Sequence, residues 1–249
     1  MVLMILLTMI ISSETAEKVK KIPVNEVFTY RELLKKTIEK EAVIKALNRM
    51  TRSGLVVKIS KGRYYRPEIT DLGIITPGQN EIVKDLLYCG EVPVGYLTTY
   101  SIYNRLGLTS QVSSIIQIGK NDVRPAFRRG HYRITFLRQK NMITSENIKL
   151  LRLLDVIKTI KRIPDCTIDF ACRRLLVLIG DLSIKEIDNL LTMAMKYPPS
   201  ARAVLGAILE ELCYKKNLAK LRKSLNPISK YILPGAKDAL AFSRLWNIE

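Results

Sequence analysis

Lys45, Asn48, Arg49 and Arg52 fall at i, i+3, i+4 and i+7, the spacing that gathers side chains on one face of a helix. Lysine and arginine neutralise phosphates. An arginine fork matches the major-groove edge of guanine, and an asparagine amide matches that of adenine. One helix face bearing these residues has the chemistry to read duplex DNA, with Arg49 and Arg52 on guanine and Asn48 on adenine. A few residues further on, Lys58, Lys61, Arg63 and Tyr65 flank a glycine-centred turn, where Lys61 and Arg63 can hold phosphate or enter the minor groove. Tyr30 and Arg31, at the head of the preceding helix, complete the expected DNA contacts. A solvated basic face on a small protein-binding module is the plainer alternative.

The elements that must position these residues are legible in the local pattern. Thr29 with Glu32 three residues later is a capping box, and Phe28 and Leu33 sit where a hydrophobic staple would, so a helix is expected from Tyr30 to about Lys36. In the next helix, expected over Glu39–Ser53, Val43, Ala46, Leu47 and Met50 form one apolar face opposite the basic one. Gly54 suits the position just past a helix end, where a positive φ is unstrained only without a Cβ. Beyond it the period changes to two: Leu55, Val57 and Ile59 point one way, Val56 and Lys58 the other. "SKGR" turns the chain, and "YYRP" returns as a second strand that Pro67 ends. Two helices followed by a basic-tipped hairpin predict a winged helix-turn-helix, whose second helix can enter a major groove.

The remainder reads as a linker over 68–78, a short helix in "QNEIVKDLLYC" and a helix in "GYLTTYSIYNRLGL" ending near Gly107. Strands around Ile115–Gly119 and His131–Arg138 predict a small antiparallel sheet. This sheet carries Lys120, Arg124, Arg128, Arg129 and Arg133, candidate phosphate contacts that could equally be exposed charge on a basic sheet. From Ser145 the chain is helical, with Ile148, Leu151, Leu154, Ile157 and Ile160 as an apolar stripe and Ser183–Glu186 as another capping box. The fold class expected is therefore α+β: an N-terminal winged helix-turn-helix over residues 12–68, then a mixed domain over 80–249 with a small sheet and a helical C-terminal part.

The chain has 249 residues and a formal net charge of +18, which favours a polyanionic partner. Its four cysteines and lone His131 lack the spacing of a metal site, and scattered cysteines suit reduced, buried thiols in a cytoplasm. No phosphate-binding glycine loop, nucleophile elbow or carboxylate cluster is present, so no cofactor, metal or enzymatic activity is expected. His131 has no base-orienting partner nearby in sequence and reads as a surface residue. Asp181 and Glu186 read as helix-capping charge. The apolar N-terminal run is short of the roughly 20 residues of a membrane span. It predicts an amphipathic first helix over Glu14–Lys21, with a cleaved secretory signal as the alternative.

The segments "IPVNEVFTYRELL", "VIKALNRMTRSGLVVKISKGRYYRP" and "NRLGLTSQV", with the terminal "LNPISKYIL…LWNIE", resemble in their order the AbiEi-like antitoxins of bacterial type IV toxin–antitoxin systems. The resemblance implies a winged-helix domain followed by a second domain used in antitoxicity. It implies a cytoplasmic transcriptional autorepressor that binds double-stranded DNA at inverted repeats in its operon's promoter. It also implies a nucleotidyltransferase-like toxin that the antitoxin opposes without a tight complex. A module that neutralises a toxin by direct contact is the alternative.

Overall fold

The structure, a computed structural model, describes residues 2–249, with side chains from Ile10 onward. The chain divides into two compact units. Unit 1 takes the residues up to Lys84 together with Arg128–Tyr132; unit 2 takes Asp85–Phe127 and Arg133–Glu249.

Unit 1 begins with α1 (Val2–Lys21), which extends well upstream of the helix expected from Glu14. It sets Thr15 and Val19 into the interior at i and i+4. After β1 (Val27–Thr29) comes α2 (Tyr30–Leu33), held by the expected capping box, in which the Glu32 carboxylate accepts the Thr29 amide at 3.0 Å and the Thr29 hydroxyl at 2.9 Å. α2 stops short of Lys36 because the Glu39 carboxylate accepts the Lys35 and Lys36 amides at 3.2 and 3.4 Å. That contact leads through a 3-10 turn into α3 (Lys40–Arg52). The end of α3 is a Schellman closure: Gly54, at φ +78°, donates to the Thr51 carbonyl at 3.3 Å, and Leu55 donates to the Met50 carbonyl at 3.0 Å.

The hairpin follows as β2 (Val57–Ser60) and β3 (Arg63–Tyr65), but β3 also pairs with β1, giving a sheet in the order β1-β3-β2. The third strand was hidden because Phe28 serves two ends: it precedes a helix, and it lies opposite Tyr64 with the rings 6.1 Å apart. The expected strict alternation, Leu55, Val57 and Ile59 on one side and Val56 and Lys58 on the other, does not hold as a burial pattern either. Val56 is the buried residue and Leu55 is exposed, because the closure after α3 sets the phase and the ladder slips between Lys58 and Ser60. Residues 68–78 are not a bare linker: β4 (Glu68–Thr70) and β5 (Gly73–Ile75) pair as a hairpin with every residue exposed. The short helix expected in "QNEIVKDLLYC" is two turns, α4 (Gln79–Ile82) and α5 (Lys84–Leu87), separated at Val83.

Unit 2 departs further from expectation. After the small hairpin β6 (Tyr88–Cys89) and β7 (Val92–Pro93), residues 95–107 form no α-helix. They supply β8 (Gly95–Leu97) and a 3-10 turn, because Tyr96, Leu97, Thr98 and Thr99 are all drawn into the interior. β9 (Ile115–Lys120), β10 (Phe127–Arg129) and β11 (Tyr132–Arg138) follow, and within unit 2 the strands lie in the order β11-β9-β8. This sheet is mixed rather than antiparallel: β9 and β11 run parallel, Ile116 opposite Ile134, while β8 and β9 are antiparallel.

Five helices complete the unit: α6 (Ile148–Lys158), α7 (Ile168–Gly180), α8 (Ile184–Ala194), α9 (Pro199–Glu211) and α10 (Leu218–Lys223). The stripe expected on α6 is buried from Leu151 to Ile160. The capping box at α8 is present, and Glu186 is held at about 2, first by the Ser183 amide and then by Lys149. Of the four cysteines only Cys172 is fully buried, and Cys89 and Cys213 are exposed. No helix among the described residues is long and apolar enough to cross a membrane.

A polar knot lies inside unit 2. Asp155, 1% exposed, accepts hydrogen bonds from Tyr96 (2.7 Å), Thr98 (2.8 Å) and Tyr197 (2.7 Å). Gln139 donates to both tyrosine oxygens at 2.8 Å and accepts from the Asn141 amide at 2.8 Å. The knot joins β8, α6 and the residue chains after β11 and α8 through groups that satisfy one another. Burial raises Asp155 above the ordinary carboxylate value, against its three hydroxyl donors, which lower it; burial likewise pushes both tyrosines up.

Two outcomes follow for stability. Because Asp155 ionises at higher pH in the folded than in the unfolded chain, the unfolded state loses this proton first, so its contribution falls as pH rises above the ordinary aspartate range. Urea unfolding across pH 4–8 is expected to show that downward slope in the difference between wild type and Asp155→Asn, whereas Asp155→Ala costs about 3 kcal/mol or more by orphaning three hydroxyls. Gly206→Ala is expected to cost about 2 kcal/mol by thermal or urea melting, since a Cβ there would lie 2.3 Å from the Trp246 ring.

Candidate nucleic-acid interface

The two faces of α3 are cleanly separated. Val43, Ala46, Leu47 and Met50 are all buried, packed with Phe28, Leu33, Val56 and Tyr64 in one cluster. Fully burying a side chain of this kind contributes roughly 2 kcal/mol, so three large ones on one helix fix its rotation about its own axis. Lys45, Asn48, Arg49 and Arg52 are consequently exposed, as expected. Lys45, Asn48 and Arg52 make no hydrogen bond or ion pair among the described residues, which leaves their polar heads available. Arg49 is different: its guanidinium donates to Ser12 Oγ of α1 at 2.6 Å. Nothing in the periodicity around Arg49 signals a partner 37 positions upstream.

The β2–β3 turn is close to α2. A Cβ at Gly62, which has φ +75°, would lie 3.4 Å from the Tyr30 ring. Tyr30 is thus half-buried beneath the turn, with the Lys40 ammonium 5.9 Å from its ring centre and Arg31 bonded to its hydroxyl, which lowers Tyr30 and raises Arg31. Lys58 and Lys61 are exposed, and Arg63 is half-buried. Tyr65 is 4% exposed and does not present itself to a ligand; burial pushes its phenol up. It is removed from the expected contacts, because β3 is the central strand and both its tyrosines pack inward.

The second set of expected phosphate contacts is broken up. Arg129 is 3% exposed and donates to the Ile82 carbonyl at 2.6 Å, so it is spent on the backbone of unit 1 rather than open to phosphate. Lys120 is half-buried and donates to the Leu86 carbonyl at 3.2 Å. Arg124 is exposed but stacked over Phe127, 4.5 Å from the ring centre. Only Arg128 and Arg133 of the five are exposed with no partner among the described residues. His131 is exposed, its ring 3.9 Å from that of Tyr132. Among the described residues no group of three or more His, Cys, Asp or Glu side chains could hold a metal ion.

Comparison with known proteins places the chain in a family. The profile described as "Family of unknown function (DUF6088)" matches residues 14–188, and the chain belongs to that family. Among solved structures it is similar to the crystal structure of the RV2827C protein from Mycobacterium tuberculosis, with a TM-score of 0.55 and 15% identity over 88% of this chain and 83% of that one. At that identity the likeness speaks to the mixed α+β fold alone. No curated protein matches.

Proposed function

We propose that this member of the family binds duplex DNA through a winged helix-turn-helix in unit 1, with α3 as the recognition helix and the β2–β3 hairpin as the wing. The observation that carries the reading is the two-sided α3: one face is locked in the core while Lys45, Asn48, Arg49 and Arg52 face outward together. On this reading Arg52 and Asn48 read base edges. Arg49 reads a base only after leaving Ser12. Lys45, Lys58, Lys61 and Arg63 hold phosphates, with Arg31 at the start of α2.

In this proposal the chain is a transcriptional autorepressor acting at inverted repeats in its own promoter. It is also the antitoxin of a type IV system, opposing a nucleotidyltransferase-like toxin without a tight complex. The sequence resemblance supports that role, and the net charge of +18 supports a polyanionic partner. A second reading, neutralisation of a toxin by direct contact, is favoured by one observation: Ile69 and Leu72 on the β4–β5 hairpin are 75% and 101% exposed. Co-purification of the chain with a toxin would support this second reading.

A mobility-shift titration against the gene's own upstream region tests the first reading. Arg52→Ala is expected to weaken specific binding by about 1–3 kcal/mol, roughly 5- to 150-fold, and to relax sequence preference. Lys61→Ala should weaken all sequences alike and reduce the salt slope by about 1. Lys36→Ala should change little. Equal affinity for the upstream region and random DNA near physiological salt would overturn the reading.

A further inference from the structure

A cavity of about 320 Å³ in unit 2 is lined by Arg138, Lys140, Lys158 and Lys196. These four are half of its lining, which contains no carboxylate. All four are exposed, and none makes an ion pair among the described residues. Elsewhere in the same unit exposed lysines do find carboxylates, as in Lys149–Glu186 at 2.9 Å, Lys216–Asp188 at 2.7 Å and Lys230–Glu249 at 2.6 Å. High net charge alone does not explain the cluster, because these side chains come from three separate places: the end of β11, the end of α6 and the turn after α8. Holding like charges around one concavity costs energy that a carboxylate near them, Asp155 beneath the floor and close enough to act on Lys158, offsets only in part, and an anion in the cavity would relieve the rest.

The rest of the wall supplies shape. Gln139 and Tyr197 line the cavity, but their polar atoms are consumed by the Asp155 knot, which makes the floor rigid and leaves recognition to the four cations. Pro198 and Pro199 complete the lining where the 13-residue α9 begins, with no acidic residue in its first turn. The positive end of that helix adds to the same field.

We propose that this cavity binds a small polyphosphate-bearing molecule, a ligand with several phosphoryl charges close together. A single phosphate would leave most of the four cations unmatched, and the cavity volume lies at the lower end of the range for small-molecule sites. The site is independent of α3 and does not rest on the DNA-binding reading.

The test is calorimetric titration of the full chain with pyrophosphate, a nucleoside triphosphate and a phosphodiester oligonucleotide without operator sequence, for wild type, Lys158→Gln/Lys196→Gln and Arg52→Ala. Saturable binding of pyrophosphate or the triphosphate is expected, weakened at least tenfold in the double variant and unchanged in Arg52→Ala. In phosphate-free buffer the double variant should keep the cooperative melt of wild type, so that its loss of binding is not a loss of fold. Three results would each overturn the proposal: no saturable binding of either small ligand, equal binding by the double variant, or binding of the oligonucleotide alone.

Discussion

The burial of one face of α3 is the constraint on which unit 1 turns. Val43, Ala46, Leu47 and Met50 give that helix a single rotational setting against Phe28, Leu33, Val56 and Tyr64. Everything on its far side is exposed as a consequence rather than by separate design. The same packing explains the Schellman closure. With Met50 buried and its carbonyl accepting from Leu55, the chain must reverse at Gly54 and deliver Val56 inward. The sheet is then phased by the helix. The turn at Gly62 comes to rest against Tyr30, so one helix rotation positions both the outward, basic face of α3 and the turn.

This dependence explains which parts of the fold could be read from the sequence. α3, its terminal glycine and the capping boxes at Thr29 and Ser183 rest on interactions within a few residues, and all are present. Elements decided by distant pairing were hidden. β1 is three residues long and exists through Tyr64 and Tyr65 nearly forty positions away. The parallel pairing of β9 with β11 leaves no periodic trace, because period two is the same for either direction. The stretch after Gly95 looks helical by composition, but its threonines and Tyr96 are claimed by Asp155 and β9. The one local signal was a carboxylate set among leucines in "LLRLLDVIK", at a position four residues from Leu151.

The exposure of the basic α3 face was legible in the sequence, while the placement of the other basic residues was misread for a related reason. Arginine count is a poor measure of available charge in this chain. Arg129 donates to Ile82, Arg152 to Leu97, Arg174 to Leu106 and Arg173 to Asp238, each to a backbone carbonyl. Arg66 holds two, on Lys20 and Ile22, at 2.6 Å. The guanidinium is suited to this work because its planar fork keeps its charge while satisfying carbonyls that would otherwise be orphaned at chain crossings. Such partners lie up to 68 positions away in sequence. Charge patterning therefore could not separate arginines that hold the fold from those that face outward.

Arg49 sits between these two classes and shows how such a residue can be reassigned. Its bond to Ser12 is a neutral-acceptor contact on an exposed side chain. A hydrogen bond from a charged donor contributes on the order of 1.5–3 kcal/mol when shielded from water, and less on an exposed side chain such as this one. A charge-assisted, bidentate contact to guanine is worth about as much or more. The exchange that the proposed DNA contact would require is therefore near balance, unlike that for Arg129, whose removal from the interior would strand a buried carbonyl. α1 thus holds one of the four outward-facing α3 side chains by a bond weak enough to be traded. Lys45, Asn48 and Arg52 have no such bond to give up.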